Sequence, residues 1–69
     1  MKIIIKVQRP FAGDMSRVLV YNQDKSIFAH LPYGEDVKRL IGDKLKIYCE
    51  CDFENGVLGI NKVIEDQPW

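Results

Sequence analysis

The longest run of strict alternation in the chain extends from Lys44 to Phe53. Leu45, Ile47, Cys49, Cys51 and Phe53 face one way and Lys44, Lys46, Tyr48, Glu50 and Asp52 the other. A side-chain period of two belongs to a strand with one face in a core, and a helix does not satisfy it. Any fold for this chain must therefore build a sheet around that segment. Asn55-Gly56 follows Glu54 directly, a strong two-residue hairpin signal, and Val57 to Ile64 returns as the next strand. Gly59 inside it is the expected place for a bulge or bend.

The same period recurs upstream. Lys2 to Gln8 sets Ile3, Ile5 and Val7 against Lys2, Ile4, Lys6 and Gln8. Residues 9–14, Arg-Pro-Phe-Ala-Gly-Asp, interrupt it, because proline removes a ladder donor and Gly-Asp suits a loop. Ser16 to Asn22 is rich in β-branched and aromatic residues and reads as a second strand. A tight turn over Asn22-Gln23-Asp24-Lys25 leads into a third, Ser26 to Leu31. With that turn centred on Gln23 and Asp24, Tyr21 opposes Ser26, Leu19 opposes Phe28 and Arg17 opposes His30. Val18, Val20, Ile27 and Ala29 then face the core.

One segment departs from the pattern. Glu35 to Ile41 places Val37, Leu40 and Ile41 at helical spacing, with acids in the first turn and Gly42 positioned for a left-handed helix end. The order is β-β-β-α-β-β. It points to a mainly β fold, a small five-stranded OB-like barrel with one short helix between strands three and four; an SH3-like barrel or an open curved sheet is the alternative.

With 69 residues the chain is expected to form one domain, residues 1–69, with 65–69 as a loosely ordered tail. Its 46% apolar and 29% charged composition is that of a folded globular chain. Ten basic residues balance ten acidic ones, so no net field draws in a polyanion from a distance. Apolar runs such as Ile3 to Ile5 fall far short of the roughly 20 residues that span a bilayer, and no membrane partner is expected. No small-residue cleavage site follows Lys6, so the first segment reads as a strand and not an export signal. The expected setting is cytoplasmic, with Cys49 and Cys51 as thiols.

Chemistry-bearing motifs are sparse. Cys49-Glu50-Cys51 supplies two thiols of the four ligands that structural zinc needs, and both fall on the core face. His30, the only histidine, has Ser26 four residues away along an extended strand, beyond hydrogen-bonding reach. The acids form no calcium loop, and Gly56-Val57-Leu58-Gly59 lacks the continuation of a phosphate loop. No catalytic residue, metal or cofactor is expected, and the chain reads as a nonenzymatic binding module.

The outer face of the sheet carries the candidate site. Arg17, Leu19, Tyr21, Phe28 and His30 project together from strands two and three, with Lys44, Lys46 and Tyr48 from strand four. In the leading reading this is a protein-protein or self-association surface, with Leu19 and Phe28 as anchors and Arg17 and His30 as polar rim. Ile4 and Trp69, apolar groups outside the core pattern, favour that reading. In the alternative the face binds single-stranded nucleic acid. Tyr21, Phe28 and Tyr48 would stack bases, and Arg17, Lys44 and Lys46 would meet phosphate.

Overall fold

A computed structural model of the chain describes residues 1–10 and 16–69. The elements are β1 (Lys2–Gln8), β2 (Arg17–Tyr21), β3 (Ile27–Pro32), α1 (Glu35–Ile41), β4 (Lys46–Glu54) and β5 (Val57–Ile64). The expected order, mainly β with one short helix between the third and fourth strands, is the one found. Part of the loop expected over residues 9–14 lies outside the described residues.

All strands belong to one antiparallel sheet in the order β3-β2-β1-β4-β5. The sheet curls strongly. Phe28 on β3 meets Phe53 on β4 edge to face, ring centroids 5.1 Å apart, although three strand spacings, about 14 Å in a flat sheet, separate those strands. No ladder joins β3 to β5 among the described residues. The arrangement is what an OB-like barrel and an open curved sheet have in common.

The core lies inside the curl. Ile5 and Val7 from β1, Val18 and Val20 from β2, and Ile47, Cys49 and Cys51 from β4 are buried there. Helix α1 closes one side with Ile41, and Val37 and Leu40 pack beside it. Gly42 ends the helix at φ 62°, and its N–H donates to the Lys38 carbonyl at 2.9 Å. A left-handed residue at this position is what glycine tolerates without a Cβ clash. No helix among the described residues is long and apolar enough to cross a membrane.

The two hairpins behave differently. Asn55 and Gly56, at φ 52° and 77°, form the two-residue turn that their identities favour, and Glu54 pairs with Val57. The β2–β3 register departs from expectation. Asn22 pairs with Ser26 through its N–H, so the loop holds three residues, with Lys25 left-handed at φ 73°. Asp24 accepts from both the hydroxyl and the N–H of Ser26, bonds that lower its pKa in that order.

Tyr21 then opposes Ile27, and one more residue slips before Val20 opposes Ala29, leaving Phe28 unmatched in a bulge. Two one-residue slips sum to two, so Ala29 still faces in and His30 out, now opposite Leu19. Between the slips the parity is reversed. Ile27, expected in the core, faces out and is 56% exposed, whereas Phe28 packs against the core.

Two further expectations are corrected. Leu45 is 78% exposed, because β4 starts at Lys46 and Leu45 lies beyond the last β1–β4 pair, Gln8 with Lys46. The bulge in β5 falls at Asn61, not Gly59: Glu50 opposes Lys62 and Cys51 opposes Ile60. Asn61 Nδ2 donates to Asp52 Oδ2 at 3.0 Å.

A lysine in the left-handed region carries a steric cost of roughly 1–2 kcal/mol, partly offset in a glycine variant by the greater entropy of its unfolded chain. Lys25→Gly is therefore expected to stabilise the domain by about 0.5–1 kcal/mol, read as a Tm rise of several degrees in a thermal melt.

Candidate binding face

The outer face is built by the residues that alternate with the core set. Across its middle, Tyr21 on β2, Lys6 on β1, Tyr48 on β4 and Ile64 on β5 stand in one row. Trp69 lies against this row. Its ring meets Tyr48 edge to face at 5.2 Å, and the Tyr48 hydroxyl donates to the Trp69 carbonyl. Lys6 Nζ stands 5.1 Å from the Tyr21 ring centroid and 5.9 Å from that of Trp69. Lys46 Nζ stands 5.8 Å from the Tyr48 ring. These are cation–π separations, each of the order of 0.5–1 kcal/mol at exposed sites.

Of the expected site residues, Leu19, Tyr21 and His30 share the outer face of β2 and β3, Leu19 and Tyr21 half-buried and His30 exposed. Arg17 joins them at the end of β2, opposite Pro32. Lys46 is exposed at the start of β4, and Lys44 lies in the turn before it. Phe28 is not on this face, for the register reason given above. Tyr48 has the expected orientation yet is 0% exposed, because Trp69 packs on it. Trp69 is thus a docked part of the domain and not a free apolar group. The alternation that predicted Tyr48 outside carried no information on where the tail would rest.

The cysteines illustrate the opposite face. Both are free and buried in the core. Burial pushes the Cys49 thiol up to about 11, with Cys51 a second contributor. Cys51 is also raised, by burial first and then by the carboxylates of Asp52 and Glu50. Neutral, enclosed thiols are poor nucleophiles. Among the described residues no group of three or more His, Cys, Asp or Glu is placed to hold a metal ion.

Two of the surface depressions among the described residues bear on the sheet's edges. One, of about 600 Å³, lies where the β2–β3 loop meets Lys2, Ile4 and Glu50. Glu50 is already engaged there, at 3.7 Å from both Lys2 and Lys62. The other, of about 570 Å³, is an apolar cleft at the seam between β3 and β5, with Phe28, Leu31, Phe53 and Leu58 in its walls. Beyond it β5 runs as an edge unpaired among the described residues, one that the sequence pattern alone did not single out. Val57, Ile60 and Val63 are 68%, 38% and 40% exposed along it. The cue was present in the lack of charge: Lys62 is the only ionisable residue between Val57 and Ile64.

Fold and face together define a small all-β module with a filled core and an apolar edge. The chain matches no family model, no curated protein and no solved structure.

The raised thiols set a pH dependence. The folded state keeps protons that the unfolded chain releases from about pH 8.5 upward, so the Cys49 contribution is complete below that value and is lost as pH rises towards 11, and Cys51, also raised, acts in the same direction. The urea midpoint is expected to fall over that range, and less steeply in Cys49→Ala. At neutral pH both thiols should react with a disulfide reagent only as fast as the domain opens.

Proposed function

We propose that the chain is a noncatalytic binding module whose partners are proteins, copies of itself included, acting in a cytoplasmic setting. The carrying observation is the exposure of Val57, Ile60 and Val63 along an unpaired strand edge. Fully burying one such side chain is worth about 1.5–3 kcal/mol, and edge backbone groups add directed hydrogen bonds to a partner strand. The other edge is less open to pairing, since β3 is interrupted by the Phe28 bulge and ends in Pro32. The outer face of β2 and β3 supplies a second contact surface, on which Ile27 replaces Phe28 beside Leu19, Tyr21, His30 and Arg17. The two buried free thiols agree with a reducing compartment.

The single-stranded nucleic-acid reading has less support. Phe28 faces the core and Tyr48 is enclosed, which leaves Tyr21 alone of its three stacking rings. Lys6 and Lys46 already stand over aromatic rings of the domain.

The two readings separate in an amide NMR titration with mixed-sequence single-stranded DNA and RNA at low and moderate salt. A spectrum unchanged by either oligonucleotide is expected. Salt-sensitive shifts clustered on Arg17, Tyr21, Lys44 and Lys46 would overturn the protein-binding reading in favour of phosphate contact.

A further inference from the structure

The inner and outer residues of β5 are fixed by its pairing with β4. Before the bulge, Val57 and Gly59 are outer, opposite Glu54 and Asp52, and Leu58 and Ile60 are inner, opposite Phe53 and Cys51. After it, Lys62 and Ile64 are outer, opposite Glu50 and Tyr48, and Val63 is inner, opposite Cys49. The bulge at Asn61 thus exchanges odd for even numbering midway along the strand.

A strand added to this edge must oppose outer with outer and inner with inner, since a one-residue slip reverses every side chain. A second β5, antiparallel about a twofold axis, meets that condition over its whole length. Val57 then opposes Ile64, Leu58 opposes Val63, Gly59 opposes Lys62, and the bulge residue Asn61 meets Ile60 near the axis. In this register the only charge on the strand falls opposite a glycine. Across that glycine lies Asp52, on the same outer row. Two strand spacings, about 10 Å, separate Asp52 from Lys62 of the second copy, a span that the two side chains cover by reaching towards one another. The inner row places Val63 of the second copy beside Leu58, at the apolar seam cleft walled by Phe28 and Phe53. With ten charges of each sign, the chain has no net charge with which to repel its own copy.

From this register, charge match and cleft, we propose that the occupant of the β5 edge is a second copy of this chain, joined β5 to β5 in a twofold antiparallel pair. The inference rests on the protein-binding reading and names its partner. The Lys62–Asp52 pair, for which Lys62 gives up its exposed contact with Glu50 while Asp52 keeps one oxygen on Asn61 and offers the other, fixes the register, and each copy covers part of the seam that the other leaves open. Such an interface is isologous and closes at two chains, so it does not propagate into fibres.

The test is sedimentation velocity on the full chain from about 10 μM to about 1 mM, a range that captures weak dimers. The mass is expected to rise from 8.0 kDa towards that of a dimer. Lys62→Glu places like charges across Gly59 twice per dimer and should weaken association roughly tenfold, and Asp52→Lys should act in the same direction. The double variant Lys62→Glu/Asp52→Lys restores opposite signs and should recover the dimer, which a merely structural role for either residue would not produce. Both positions are exposed, and circular dichroism verifies that each variant folds. An isotope-filtered NOE between the Leu58 and Val63 methyls gives a second readout, because along one strand those residues stand about 16 Å apart.

An 8.0 kDa mass at every concentration, or a dimer insensitive to both single variants and lacking that NOE, overturns the proposal. Either result leaves binding to a different protein standing. Only the oligonucleotide titration removes that broader reading.

Discussion

From Lys6 to Gln8 both backbone edges of β1 are hydrogen-bonded, and the rest of the structure depends on that. Lys6 pairs with Tyr21 on one side and Tyr48 on the other, and Gln8 likewise joins Leu19 to Lys46. A buried strand leaves no backbone group unpaired without a cost, so the first strand of the chain holds the centre and a hairpin hangs on each side. Ile5 and Val7 then anchor the core, while Lys6 is fixed in the middle of the outer face. The same placement makes β3 and β5 the edges. The exposed rim is therefore a consequence of where the chain's first strand goes.

The two sides of the sheet use different physics. Inside, aliphatic groups and two thiols exclude water, and the thiols stay protonated because a thiolate has no partner there. Outside, Lys6 and the aromatic rings of Tyr21, Tyr48 and Trp69 form a layer in which lysine stems cover apolar surface while the ammonium group remains at the water boundary. A small sheet that cannot enclose every ring thereby shelters Tyr48 with the end of its own chain.

Where side-chain period and local turn chemistry agree, the sequence is legible. The limits of β1 and β5, the helix from Glu35 to Ile41 and the Asn55-Gly56 turn all follow from local pattern. The β2–β3 register does not, because it turns on Lys25 taking a conformation that glycine usually fills and on a bulge at Phe28. One residue of the candidate face moved for that reason. Leu19, Tyr21 and His30 kept their side, Phe28 lost it, and Ile27 took the place beside Tyr21. Tyr48 shows a different limit: alternation gives the direction of a side chain, whereas its burial depends on Trp69, 21 residues later. The β5 edge was legible only in part, since its apolar row is visible in sequence but its position at the end of the sheet is a matter of topology.

The paired slips in the β2–β3 hairpin act like a frameshift and its suppressor. The loop adds one residue at Lys25, the bulge adds another at Phe28, and the alternation of Ala29, His30 and Leu31 is read in its original phase. Each irregularity compensates the other. Removing either residue alone would turn Ala29 and Leu31 to solvent and His30 to the core, while removing both would keep the phase. A change in the length of this hairpin consequently preserves the core phase only in steps of two, which couples the turn to the bulge.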